Sequence, residues 1–242
     1  MIAFFKTIIY VPLYNILILT LHIPWVDAGI ATIILTILVK MVLYPLSKKT
    51  TVAQIKMKEK EGELALIKEK YKDKQEQAIK TMEFYKTNKI NPFASIFIVL
   101  IQFPIILSLY YIFLKAGLPD IDTNMLYPFV KTPAAVSMNF LGLIDISGKS
   151  IILAVLAAAS SFWQMHLSSS SPKTTANKKP SPEDFSQIMA KQMKYTMPLV
   201  VFFISWKISA VIALYWLVSN LATIIQEAYI KKHLAKISLA AK

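Results

Sequence analysis

The chain has 242 residues, of which 55% are hydrophobic and only 17% charged, and its mean hydropathy is +0.51. A soluble domain carries about 25% charged residues and a disordered chain is far less apolar, so an integral membrane protein is what remains. The net charge of +13 comes from 27 lysines, with no arginine, against 14 acidic residues, and there is no cysteine; disulfides, thiolate chemistry, cysteine-ligated metals and a cysteine-linked lipid anchor are excluded.

Residues 1–24 are apolar enough to span, but Lys6, Tyr10 and Tyr14 recur at i, i+4, i+8 and Pro12 interrupts the run. This predicts an interfacial amphipathic segment, with a sixth span or an uncleaved signal anchor as the alternative; no A-x-A site follows it, which argues against a cleaved signal peptide. Apolar runs of about 18 residues or more mark the candidate spans. Transmembrane helix 1 covers 28–46 and is interrupted only by Lys40. Residues 47–91 are rich in Lys, Glu, Gln, Leu, Ile and Met, which favour helix. Val52, Ile55, Leu64, Ile67, Tyr71, Ile79, Met82 and Tyr85 sit largely at three- and four-residue spacings. They predict a helical hairpin over Lys48–Lys72 and Gln75–Lys86, turning at Tyr71–Lys74 and loosely packed near Gly62. Helix 2 covers 93–114, with Gln102 and Pro104; residues 115–149 form an external loop; helix 3 covers 150–167. The loop 168–194 carries serine-, lysine- and proline-rich stretches over Ser168–Asp184 and reads as a flexible link. The run 195–229 is too long for one helix and breaks at Lys207, giving a short helix 4 at 195–206, whose start extends back toward Lys191, and helix 5 at 208–229, followed by a basic tail at 230–242.

Orientation follows from lysine counting. The segment 47–91, the loop 168–194 and the tail hold twenty-one lysines, and the other loops hold five. The three rich segments, including the C-terminus, are therefore placed in the cytoplasm, and five spans make the alternation self-consistent.

Lys40 is the most informative residue. A cation within a span costs about 2.5–3.5 kcal/mol on insertion scales and usually faces a cavity or a bundle interior, although it can instead snorkel to the interface. Thr32, Thr36, Lys40 and Tyr44 follow i+4 spacing. Tyr215, Trp216, Ser219, Asn220, Thr223, Gln226 and Glu227 make a polar face on helix 5. Gln102 lies within helix 2, and Gln164 lies near Ser160 and Ser161 in helix 3. A single threonine can bond its own helix backbone, and glutamine or asparagine can bond between helices. The combined pattern predicts a hydrophilic groove lined by Lys40, Thr32, Thr36, Gln102, Gln164, Tyr215, Trp216, Ser219 and Asn220, with Glu227 as a candidate charge partner.

No Walker loop, dinucleotide fingerprint or nucleophile elbow is present. His22, His166 and His233 lie too far apart in sequence to form a metal-ligand spacing and read as interfacial or packing residues. No acid pair lies within the spans, so a carboxylate proton relay is missing. The chain does not read as an enzyme, and nothing in it calls for a cofactor or fits DNA. A small solute channel or transporter with a cationic intramembrane site, and a purely structural assembly factor, are the competing classes. Against the transporter stands the lack of an inverted repeat or paired broken helices.

Several segments, in order, resemble a known family: Tyr10-Val11-Pro12-Leu13-Tyr14-Asn15; Ile33 through Lys40 to Pro45-Leu46; Ile67 to Tyr71-Lys72-Asp73; Asn91-Pro92 followed by Leu100-Ile101-Gln102-Phe103-Pro104-Ile105; Met197-Pro198; and Leu214-Tyr215-Trp216-Leu217-Val218-Ser219-Asn220. Over nearly its whole length the chain is similar to the YidC family of membrane protein insertases, which has mitochondrial and chloroplast relatives. The resemblance implies an all-α fold with five core helices around a groove open to the cytoplasm and to lipid but closed to the outside. It also implies a positive residue, usually arginine, where Lys40 stands; the charge is kept and the planar guanidinium fork is lost. Ala94 and Ser95 stand where glycines are common, and Trp206-Lys207-Ile208-Ser209 replaces a Pro-Ala-Gly-like turn. The implied activity is insertion of short or single-span nascent membrane proteins in the bacterial cytoplasmic (inner) membrane. Membrane lipids are implied partners, and the ribosome and a Sec-type translocon are candidate ones; the sequence is equally compatible with action alone or beside a translocon.

Overall fold

The computed structural model describes residues 5–91, 94–116, 118–168 and 185–240. The regular structure of the described residues is helical apart from one two-residue strand pair, and most of residues 118–150 is turn and loop. The chain forms two compact units: Met1–Val42 with Ile101–Ser169 and Pro180–Ile225, and Leu43–Leu100 with Ser170–Lys179 and Gln226–Lys242. Phe93 and most of the expected flexible link at 168–184 lie outside the described residues.

In the first unit, a π-helical turn at Lys6–Tyr10 leads into α1 (Val11–Thr20). Pro12 sits in the first turn of α1, where its missing N–H leaves no helical bond unmade. The tyrosines expected on a polar face are turned inward. The rings of Tyr10 and Tyr14 stack at 6.0 Å and both are buried, while Ile8 and Leu19 are exposed. The cause is the loop 115–149, which supplies polar partners. The Tyr14 hydroxyl accepts from the Asp122 N–H at 2.9 Å. The Asn15 amide donates to the carbonyls of Val11 and Met125, both at 2.8 Å, and its oxygen accepts from the Tyr127 N–H at 2.7 Å.

Asp27 starts α2 (Ala28–Val42) as a cap: its Oδ1 accepts from the Ile30 N–H at 2.8 Å and its Oδ2 from the Leu141 N–H at 2.9 Å. Leu141 and Gly142 form the turn between β1 (Asn139–Phe140) and β2 (Ile144–Asp145), with φ of 52° and 71°. This left-handed pair suits a tight hairpin. Gly29 faces the ring of Phe140, and a Cβ there would overlap it. Gly29→Ala is therefore expected to destabilise the protein by about 1–3 kcal/mol, the usual cost of overpacking, read as a lower melting temperature in detergent; the smaller Phe140→Leu in the same chain should recover part of it.

The single helix expected over 28–46 is two. The proline ring of Pro45 clashes with the preceding turn and lacks a donor, so α2 stops at Val42, Leu43 turns, and α3 (Tyr44–Glu59) begins with Pro45 in its first turn.

Helix α6 (Ala94–Tyr111) contains Pro104, whose carbonyl accepts from the Ser108 hydroxyl at 2.8 Å, and passes into a π-helical turn at Ile112–Ala116. Helix α7 (Ile151–Ser168) packs along α8 (Phe185–Ile208), which continues through Pro198. Helix 4 is expected to be short at 195–206; α8 has 24 residues and begins at Phe185, within the stretch expected as loop. The break before α9 (Ala210–Ala240) falls at Ser209, not Lys207. Ser209 donates to the Ile146 carbonyl at 2.9 Å and accepts from the Val211 N–H at 3.3 Å, while the Ala210 N–H donates to Gly148 at 2.8 Å. A serine cap anchored on the loop thus sets the start of α9. In that loop, two donations from Ser147 hold the Asp145 carboxyl below the ordinary carboxylate range.

Helix α7 is packed as a membrane helix. Ala154, Ala157, Ser160 and Ser161 are buried, while Ile152, Val155, Leu156 and Trp163 are exposed. In water that pattern would be backwards. In lipid, small residues let helices approach and large apolar ones face the hydrocarbon. Ile151–Ser168 and Ala210–Leu234 are each long and apolar enough to cross a membrane.

In the second unit, α3 is followed by α4 (Glu61–Lys70) and α5 (Lys74–Thr87), which pack as a hairpin around a turn at Tyr71–Asp73, within the predicted turn. Asp73 caps α5 by accepting from the Glu76 N–H at 2.9 Å. The first arm, expected to be continuous over Lys48–Lys72, breaks at Lys60, two residues before Gly62, a poor helix former. Ile79 and Met82, which continue the apolar spacing, are exposed, and Phe84 is buried.

Candidate functional site

Several polar residues of the first unit form two sets centred on α9. In the first, the Lys40 Nζ on α2 donates to the Thr223 hydroxyl at 2.9 Å, and Thr223 donates to the Ser219 carbonyl at 2.8 Å. One turn back, the Tyr215 hydroxyl lies close to the side chains of Ser219 on the same helix and Gln102 on α6. In the second, the Asn220 amide donates to Ser161 Oγ at 2.7 Å and to Ser160 Oγ at 3.1 Å on α7. Ser160 donates in turn to the Ala157 carbonyl at 2.8 Å.

Polar side chains of α2, α6, α7 and α9 are thus brought near one another inside a unit that turns many large apolar residues outward. Lys40 is half-buried, so its ammonium is neither in open water nor sealed away. An ammonium has three donors. Held against a hydroxyl at reduced dielectric, it attracts an anion more strongly than it would in water.

The predicted residues divide. Lys40, Gln102, Tyr215, Ser219 and Asn220 are brought into the two sets. Thr32 and Thr36 are not: both are buried, and their hydroxyls donate to the carbonyls of Ala28 and Thr32 on their own helix, at 2.8 and 2.7 Å. Trp216 on α9 and Gln164 on α7 are half-buried beside these residues and join neither set. In the second unit, Glu227 is 8% exposed and its carboxylate lies 3.4 Å from Lys231, its i+4 neighbour. Thr223, Ser160 and Ser161 hold positions that the predicted site residues omitted. Their signal was in the sequence, since Thr223 follows Ser219 by four residues and Ser160-Ser161 is a hydroxyl pair within an apolar helix.

The model of the 60Kd inner membrane protein family matches residues 20–237. The chain belongs to this family. Its relatives include proteins named membrane protein insertase YidC. That of Fusobacterium nucleatum is 34% identical over 205 residues, covering 84% of this chain and 86% of the relative. That of Clostridium tetani is 30% identical over 210 residues, covering 86% and 84%. That of Francisella tularensis subsp. novicida is 31% identical over 234 residues, 96% of this chain but 37% of a longer protein. The YidC-family resemblance read from the motifs is borne out, and so is an all-α membrane protein. Family membership gives the polar sets a context: they belong to a helical membrane protein whose relatives are named for insertion.

Proposed function

We propose that this protein is a membrane protein insertase that moves short or single-span nascent proteins into the bilayer. Its path is a hydrophilic groove open to the cytoplasm and to lipid. The observation that carries this reading is the polar set joining Lys40, Thr223, Ser219, Tyr215 and Gln102, within a unit that turns large apolar residues outward. A polar peptide group moved into hydrocarbon without partners costs about 2–7 kcal/mol. Hydroxyls, amides and an ammonium arranged on several helices lower that cost for a short polar tail. The tail passes while the apolar segment of about 20 residues slides into lipid, and its burial drives the last step without a nucleotide.

In the arrangement proposed, five helices span the bacterial cytoplasmic membrane with residues 47–91 and the C-terminus in the cytoplasm, and residues 1–24 lie at the opposite interface. The lysines of the hairpin and the tail are suited to anionic lipid or ribosomal RNA, and a Sec-type translocon is a compatible neighbour.

The test is insertion into liposomes containing the purified protein. The substrate is a single-span protein with a short acidic N-terminal tail, scored by protease protection against empty liposomes. Protection above the empty control supports the reading, and none removes it for the protein acting alone. Deleting residues 56–80 is expected to lower cross-linking of a nascent chain several-fold while the melting temperature of the remainder changes little, because α4 and α5 pack mainly on each other. Unchanged cross-linking would take the hairpin out of substrate capture.

A further inference from the structure

The second unit contains a recess that the groove does not use. Tyr44 and Lys48, one turn apart at the start of α3, face Tyr229, Ile230, His233 and Leu234 on α9 across a cavity of about 100 Å³. Ile230 is 2% exposed and, with Leu234, supplies an apolar floor. The rings of Tyr229 and His233 stack at 6.3 Å with an interplanar angle of 5°, forming a flat wall. Lys48, Tyr229 and His233 are exposed at the rim. An ammonium, two phenol hydroxyls and an imidazole thus surround an opening that, among the described residues, is lined by no carboxylate.

Ligand pockets for drug-sized molecules measure about 300–1,000 Å³. This recess is smaller and suits a group of a few heavy atoms with several acceptor oxygens, which a phosphate provides. Its place along the chain is equally specific. Tyr44 follows the apolar run of α2, and Tyr229–Leu234 lie where the apolar run of α9 gives way to Lys231, Lys232 and His233. Tyrosine and lysine collect at that level of a membrane, where hydrocarbon gives way to headgroups.

We propose that this recess binds the phosphate of an anionic phospholipid. Lys48 pairs with the phosphate, the Tyr44 hydroxyl and the His233 ring donate to its oxygens, and the first acyl carbons lie over Ile230 and Leu234. The assignment rests on the placement of these helix ends at a membrane surface, which the insertase reading shares. An RNA backbone presents the same phosphate, but it is bound by extended cationic tracks with stacking bases; a small recess with an apolar floor favours lipid.

The test uses the full chain in nanodiscs of equal phosphatidylglycerol and phosphatidylcholine, with the lipids retained after detergent extraction measured by native mass spectrometry. Wild type is expected to retain phosphatidylglycerol in about fivefold excess, the scale expected of one cation at a membrane surface. K48Q/H233Q should return to the bulk ratio, whereas K231Q/K232Q, outside the recess, should keep most of the excess. Y44F, the mildest change, should lose about half of it, at an unchanged melting temperature. Equal excess in wild type and K48Q/H233Q, or equal loss in K231Q/K232Q, would overturn the proposal. So would displacement of the lipid by inorganic phosphate or by a short RNA at equal phosphate concentration, which would assign the recess to a free phosphate or to RNA. Insertion is scored separately in liposomes of the same composition: a protein that retains the lipid but inserts nothing refutes the insertase reading and leaves this one standing.

Discussion

Lys40→Met is expected to lower insertion of an acidic-tailed single-span substrate by about tenfold or more, and Lys40→Arg to retain most of it. A carboxylate 4 Å from an ammonium gains about 1 kcal/mol in bulk water and about 4 kcal/mol at an effective dielectric near 20. Each 1.4 kcal/mol is about tenfold in rate, so the partly buried setting of Lys40 decides whether its charge matters. The loss should be confined to charge. Thr223 keeps its bond to the Ser219 carbonyl when the ammonium is gone, so methionine leaves no orphaned hydroxyl and the fold should hold. A substrate with a neutral tail provides the contrast, because its insertion should change less than twofold. Equal insertion of the acidic tail by wild type and Lys40→Met would make Lys40 a snorkelling residue and leave the polar set without an electrostatic task.

The largest expected loss of stability is at Asn15, which is 1% exposed and ties α1 to the loop 115–149. Its side chain satisfies the Met125 carbonyl and the Tyr127 N–H, more than a hundred residues away in the chain. Asn15→Leu keeps the branching and the number of heavy atoms and leaves both backbone groups without these partners. At about 1–3 kcal/mol for each unsatisfied buried group, the cost is about 2–6 kcal/mol. The checks are a lower melting temperature in detergent and faster protease cleavage within residues 120–130. Asn124→Ala, at an exposed position in the same loop, should shift neither. If Asn15→Leu melts like wild type, the loop is held by other contacts, and Tyr14 with Asp122 becomes the candidate.

The two predictions differ in how far the sequence foretells them. Lys40 stands out in a hydropathy profile because a charge in an apolar run is costly and therefore conspicuous. Asn15 does not stand out: an asparagine beside tyrosines near the chain start fits an interfacial segment equally well. Its role depends on partners at 125 and 127, and no local pattern encodes a hydrogen bond across that separation. Thr32 and Thr36 show the reverse error. Their i+4 spacing with Lys40 places them on one stripe, yet each hydroxyl is used by the carbonyl one turn back, an option open to any helical threonine.

Composition by itself determined that the protein resides in a membrane, because a chain this apolar cannot keep its surface in water. Lysine distribution sets only an expected orientation, while the order of motifs supplied the family and the composition of residues 47–91 placed a helix turn at Tyr71–Lys74. Tertiary structure alone decided which face of each apolar helix meets protein. Hydropathy has the same sign for a leucine in lipid and a leucine in a core, so burial of the alanines and serines of α7 beneath its larger residues is invisible in the profile. Tertiary structure also moved the last helix break to Ser209, where the loop carbonyls of Ile146 and Gly148 accept from the Ser209 hydroxyl and the Ala210 N–H. Both outcomes have one physical origin: within a bilayer the hydrophobic effect places helices across the membrane, and only packing and hydrogen bonding choose how they face one another.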